Sequence, residues 1–212
     1  MTVAAVILSA TTEGAMADLD GQARVRRLAD VAWSGGALPV IVVAPDPDGA
    51  VAATLAGSPA ELVAPAPREA GPVGQIACGV DAACETVAET TGALLWPARL
   101  VWVDPETLTS LIEAHGADRQ SIIRPSYDGE PGWPVLLPVA HLAAFRALAS
   151  DRMPDELIDD AAATGLAVRL LELGDPGTTH DVDVARDALP AFRGPEEPVA
   201  GPPPEWGAGV TG

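Results

Sequence analysis

The sequence predicts one three-layer α/β domain, Rossmann-like in its layering, with a mainly parallel sheet covered by helices on both faces. Three observations predict it. Short Val/Ile/Leu-rich runs alternate with longer Ala-rich segments whose apolar positions recur every three or four residues, as parallel strands joined by crossover helices require. The chain has 212 residues, 48% of them hydrophobic, which suffices for one sizeable core. The alternation stops at Gly194, after which Pro and Gly dominate. The domain is therefore expected over residues 1–193, with an unpacked tail over 194–212.

Taken in order, strands are expected at Val3–Leu8, Leu38–Ala44, Glu61–Ala64, Ala93–Trp96, Ser121–Pro125 and Leu166–Leu173, each a run of apolar or β-branched residues bounded by turn formers. Helices fall between them. The first is expected over Asp20–Trp33, closed by Ser34, Gly35 and Gly36, because glycine adopts the left-handed conformation that ends helices. Val73–Thr91 is the second, with Ile76, Val80, Ala83 and Val87 at helical spacing. Asp104 and Pro105 open the third: an Asp cap, Pro in the first turn, and Glu106 near the positive end of the dipole. His141–Ala149 and Asp155–Thr164 follow, then a short helix over Val184–Leu189.

The chain contains no lysine: twelve arginines face thirty acids, for a net charge of -18. Such a charge repels polyanions and excludes nucleic acid and anionic membrane surfaces as partners. No stretch approaches the roughly 18 apolar residues of a membrane span, and the opening MTVAAVILSATTEG lacks a basic region before its apolar run. A cytoplasmic location is expected. Cys78 and Cys84 lie six residues apart on one helix, on different faces, and are expected to be reduced. A dinucleotide fold would need G-x-G-x-x-G after the first strand, where only Gly14 occurs; a nucleophile elbow G-x-S-x-G is found nowhere, and the three histidines lack metal-ligand spacing.

Other segments carry a family pattern. Ile7-Leu8-Ser-Ala-Thr-Thr-Glu-Gly-Ala-Met16 follows the first strand, then Asp20-Gly21-Gln-Ala-Arg-Val25 and Leu38-Pro-Val-Ile-Val-Val-Ala44. Gly71-Pro-Val-Gly74-Gln-Ile76, Pro97-Ala-Arg99-Leu-Val-Trp-Val-Asp104-Pro, Pro125-Ser-Tyr127-Asp-Gly129-Glu-Pro-Gly132-Trp133-Pro134-Val-Leu-Leu137 and Asp181-Val-Asp183-Val-Ala-Arg-Asp187-Ala-Leu189 complete the series. In this order they resemble the MobA-like nucleotidyltransferases, the molybdenum cofactor guanylyl- and cytidylyltransferases and their relatives. The likeness covers about residues 3–190 and implies the fold of the nucleotide-diphospho-sugar transferases.

The resemblance implies a nucleotide site at Leu8, Ser9, Ala10, Thr11, Gly74 and Arg99, an acceptor wall at Tyr127, Gly132 and Trp133, and a metal position at Asp181 and Asp183. Its departures bear on chemistry. Ala10 and Thr11 replace the glycine pair of a phosphate loop, filling space and restricting the backbone. Ala15 replaces the loop arginine, and Ala17-Asp18-Leu19-Asp20 occupies the place of the lysine. Arg99 replaces the acid that holds Mg2+ in relatives, turning attraction for the ion into repulsion; a guanidinium there could instead grip a phosphate. If the chain is extended about Val182, Asp181 and Asp183 point the same way and could share a cation; they could equally cap the following helix. Trp133 replaces a histidine and offers a stacking surface. Arg24, Arg26 and Arg27 are expected to pair with acids such as Asp30 along their helix.

Three functions compete. A catalytically degenerate protein would bind CTP, GTP or a pterin-type ligand, or a protein partner; an active enzyme would transfer a nucleotide to molybdopterin using Mg2+; an interaction module would dock its tail, Trp206 included, on another protein.

Overall fold

The computed structural model describes residues 2–195, so the expected tail lies outside the described residues except for Gly194 and Pro195. Ten strands and seven α-helices alternate: β1 (Thr2–Leu8), α1 (Thr12–Met16), β2 (Asp18–Leu19), β3 (Gln22–Ala23), α2 (Arg24–Ser34), β4 (Val40–Val43), α3 (Ala50–Leu55), β5 (Ala60–Val63), α4 (Gly71–Thr86), β6 (Thr90–Pro97), α5 (Pro105–Ala117), β7 (Ile122–Tyr127), β8 (Glu130–Pro131), β9 (Val135–Pro138), α6 (Leu142–Arg146), α7 (Pro154–Ala163) and β10 (Val168–Glu172). Short 3-10 turns add to these. The main sheet runs β10-β7-β9-β6-β1-β4-β5, with β8 paired to β7. Pairing is parallel from β6 through β1 and β4 to β5, and again between β10 and β7. Only β8 and β9 run against their neighbours in this sheet.

One layer of helices holds α4, α6 and α7, the other α2, α3 and α5. The sheet between them is apolar on both faces, and β1, β4 and β9 are almost wholly buried, as a sheet covered on both sides demands. Close helix–sheet contact depends on small residues. At Gly79 a Cβ would lie 2.3 Å from Val6 Cγ1, so α4 can sit this deep on β1 only with no side chain there.

The six expected strands and five main helices all form, with shifts that have local causes. The first helix starts at Arg24 rather than Asp20, because Asp20 and Gly21 take positive φ and make the turn of the small β2–β3 hairpin. The second ends at Thr86, and Thr90 and Thr91 belong to β6, where pairing with β1 competes with helical continuation. The expected loop after β1 contains the short helix α1, capped by Thr11, whose hydroxyl accepts from the Gly14 amide at 2.9 Å. Asp104 does cap α5, accepting from the Glu106 amide at 2.9 Å. The expected helix over Val184–Leu189 is a single 3-10 turn, Arg186–Ala188. Strand β9, unanticipated, inserts antiparallel between β6 and β7.

His115 is fully buried against Gly92. The Thr91 hydroxyl donates to the Thr2 carbonyl and lies 3.2 Å from His115 Nε2, so Nε2 carries the hydrogen and Nδ1 is a buried lone pair without a partner. Protonating Nδ1 would create an unpaired buried cation. Burial first, and Arg119 second, hold the imidazole below its usual value, against the opposing Asp118 and the hydrogen bond to Thr91.

Because the folded value is depressed, the unfolded chain takes up the proton more readily. Stability is full above the ordinary histidine value of about 6.5 and falls as pH drops below it. Urea midpoints should decrease from pH 7.5 to 5.5, and His115→Gln should flatten that slope. A slope unchanged in the variant would assign it elsewhere. Gly79→Ala should cost about 1–3 kcal/mol by overpacking, read from the same denaturation curves.

Candidate functional site

A cleft of about 660 Å³ opens where β6 and β7 end, lined by Pro97, Arg99, Tyr127, Trp133, Asp155 and Asp181 among others. Its place follows from sheet register. Pro97 pairs with Leu8, and the Ala98 amide donates to the Leu8 carbonyl at 2.9 Å. The cleft thus lies at the same end of the sheet as the loop after β1, where open α/β sheets bind ligands.

One wall is built around Arg124 in β7. This guanidinium is buried, donates through Nε to the Gly132 carbonyl at 3.1 Å, and pairs with Asp155 at 2.5 Å. Asp155 Oδ1 also accepts the Trp133 indole N–H at 3.0 Å, and Arg124 lies 5.8 Å from the indole centroid. Packing and hydrogen bonding therefore fix Trp133 in one position, 6% exposed. Gly132 is required here, since a Cβ would meet the Thr178 carbonyl at 2.6 Å.

The opposite wall is the segment 176–181. His180 Nδ1 lies 2.8 Å from the Pro176 carbonyl, which can only accept, so Nδ1 carries the hydrogen and Nε2 is an acceptor. The ring packs edge-on to Tyr127, with centroids 6.2 Å apart. Asp175 anchors this wall: buried, it accepts from the Asp104 amide (2.9 Å), Thr107 Oγ1 (2.6 Å) and the Gly177 amide (2.8 Å). Burial pushes its carboxyl up, with these three bonds opposing.

Arg99 and Asp181 form an ion pair at the cleft. The side chain of Arg99 is 67% exposed, so the pair is worth at most about 1 kcal/mol to the fold; its importance is to the site. Burial works to raise the Asp181 carboxyl, but the Asp183 amide and the Arg99 guanidinium outweigh it and hold the group below the usual carboxylate range. Its contribution to stability is present above its unfolded value and is lost as pH falls through the depressed folded one. Asp183 is exposed and is not among the residues lining the cleft. The chain is not extended about Val182: the Asp183 amide folds back to Asp181 Oδ1 at 2.9 Å, and the Val182 amide donates to the Arg99 carbonyl.

The residues present do not make a divalent-cation site. Asp181 is committed to a guanidinium, and no group of three His, Cys, Asp or Glu side chains among the described residues could hold a metal.

Around the loop after β1, Ser9 is buried and its hydroxyl donates to the Thr11 carbonyl at 3.0 Å, while Ala10 and Thr11 are exposed. Gly74 is on α4, where a Cβ would meet Ala70 at 2.3 Å; its smallness serves the packing of the preceding chain. The cleft thus gathers Arg99, Tyr127, Trp133 and Asp181, while Leu8 to Thr11, Gly74, Gly132 and Asp183 are not among its lining residues. Sequence reasoning missed Arg124, Asp155 and Asp175. An arginine within the apolar β7 run was the available signal for Arg124, since a charge buried in a strand needs a partner.

Cys78 and Cys84 are free thiols, and burial, then Asp81, raises both. No helix among the described residues is long and apolar enough to cross a membrane.

Asp155→Asn should weaken the hold on both Arg124 and Trp133. We expect a loss of about 1–3 kcal/mol in stability, with a shift in tryptophan emission; an unchanged spectrum and melting curve would show that Asp155 does not hold the wall.

Solved structures share the fold. A nucleotidyl transferase from Methanothermobacter thermautotroptrophicus is 18% identical, with a TM-score of 0.70 over 86% of this chain and 92% of that one. A Mycobacterium tuberculosis H37Rv protein crystallised with manganese is 19% identical, TM-score 0.64, covering 82% and 89%. The 2-C-methyl-D-erythritol 4-phosphate cytidylyltransferase of Thermus thermophilus is 16% identical, TM-score 0.61, covering 88% and 95%. No curated protein sequence matches this one significantly. The profile of the MobA-like NTP transferase domain matches residues 12–164, and on that match the chain belongs to the family of MobA-like NTP transferase domains.

Proposed function

We propose that this protein uses its nucleotidyltransferase fold to bind a nucleotide, CTP or GTP, or a pterin-type ligand, without efficient nucleotidyl transfer. The ion pair of Arg99 with Asp181 carries this reading: a guanidinium occupies the carboxylate that a bridging cation would need. The cleft supports it. Four carboxylates, Asp128, Glu130, Asp155 and Asp181, face one lining guanidinium, Arg99, which repels phosphate oxygens. Trp133 and Tyr127 suit a flat ring, and His180 Nε2 offers an acceptor to its edge. Ligand recognition in the cleft then rests on shape and hydrogen bonds rather than on triphosphate charge.

A metal-dependent transferase acting in molybdenum cofactor assembly is the competing reading. The manganese bound to a structural neighbour favours it, and the family name is consistent with both.

Calorimetric titration with CTP, GTP and a pterin, with and without Mg2+, separates the two. Weak binding indifferent to Mg2+, with no pyrophosphate released on mixing with molybdopterin, is the expected result. Clear metal dependence with pyrophosphate release would establish transfer instead, and no binding of any of the three at low salt would sink the ligand reading. In Arg99→Asp, Mg2+ affinity should rise without turnover; turnover in that variant would mean that one side chain alone had blocked the reaction.

A further inference from the structure

Among the described residues, five of the twelve arginines form ion pairs: Arg26 with Asp30, Arg99 with Asp181, Arg124 with Asp155, Arg146 with Asp81, and Arg152 with Glu156 and Asp160. Three of the others belong to two segments that meet. Arg24 and Arg27, one turn apart on α2, and Arg186 on the 3-10 turn make no ion pair among the described residues. The side-chain Nε atoms of Arg24 and Arg27 are buried without a hydrogen-bond partner. A buried unpaired donor on a charged group is costly.

Trp102 brings two of them together. Arg27 lies 5.6 Å and Arg186 5.9 Å from the centroid of its ring. The indole N–H donates to the Val184 carbonyl at 2.9 Å, which fixes the ring to the segment carrying Arg186. Cation–π attraction draws each guanidinium to the ring, which brings two like charges to one side chain. Their repulsion registers on Arg27, whose guanidinium is held below its usual value by burial first and Arg186 second, with Asp20 opposing. In a chain with thirty acids against twelve arginines, two guanidinium groups converge here with no ion pair among the described residues. An oxyanion meeting their terminal nitrogens would offset the repulsion.

We propose that Arg27 and Arg186, assembled around Trp102, with Arg24 one turn from Arg27 on α2, form a binding site for a phosphorylated ligand through its phosphoryl oxygens. The site is separate in its residues from the cleft, and it lies on segments that run side by side with it: Arg99 and Asp181 pair at one end, Trp102 and Arg186 at the other. It supplies positive charge that the loop after β1 does not carry. It does not rest on the reading of the cleft, since a phosphoryl group with no base or pterin attached should occupy it.

Inorganic pyrophosphate in EDTA is the probe. Titration of the full chain at low ionic strength, followed by calorimetry, should show saturable binding that weakens with salt and loses about tenfold or more in affinity in Arg27→Gln and in Arg186→Gln. Arg186 is exposed, so its variant keeps the test open should Arg27→Gln not fold. Arg99→Gln and Trp133→Phe should leave pyrophosphate binding unchanged, and a failure of nucleoside or pterin binding with pyrophosphate binding intact would overturn only the cleft reading. No binding by the unmodified protein, equal binding by the two arginine variants, or equal competition by chloride at matched ionic strength would overturn the site.

Discussion

The carboxylate of Asp175 holds the functional end of this protein together. It sits buried between two segments far apart in sequence, accepting from the backbone of Asp104, the hydroxyl of Thr107 and the amide of Gly177. A carboxylate with three donors fixes three groups at once. The contact is also tight: a Cβ at Gly177 would lie 2.2 Å from the Trp102 carbonyl. Everything beyond this junction follows its geometry. The segment after β6 and the segment after β10 then run together, so that Arg99 meets Asp181, Trp102 meets Val184, and Arg186 reaches the indole.

Within that frame charge is distributed unevenly. The cleft is lined mainly by carboxylates, with Arg99 already engaged and Arg124 held behind Trp133. Positive charge without partners gathers instead around Trp102. The carboxylate-lined cleft and the guanidinium groups beside Trp102 are thus built from different residues. The core of the central strands is mainly Val, Ile, Leu and Ala with Trp96, and of the aromatic residues at the cleft Trp133 belongs to it.

How much of this was legible depended on how local each cause is. The cap at Asp104, the proline beside it and the apolar run of β1 are properties of a few neighbouring residues, and they form as the sequence indicates. The order of family-like segments made the fold readable as well. Strand β9 was not, because Val135–Pro138 is a four-residue run that follows Pro134 and ends on Pro138, and only pairing with β6 and β7 makes it a strand. The bond between Arg99 and Asp181 spans 82 residues, and no local pattern announces it. The suggestion that Asp181 and Asp183 face the same way assumed an extended chain; a backbone turn closed by Asp181 itself separates them. The three arginines of α2 likewise divide by tertiary context, Arg26 pairing with Asp30 as expected and Arg24 and Arg27 not.

The tip joining β7 to β8 projects into solvent at the rim of the cleft. Asp128 and Gly129 both adopt positive φ in a two-residue turn, exposed to solvent, and no atom lies near the missing Cβ of Gly129. Glu172 on the sheet edge ties both of their amides down. Lengthening the chain at this tip would redraw the rim of the recess while every buried strand kept its register, so descendants of this scaffold can vary what they admit without renegotiating how they fold.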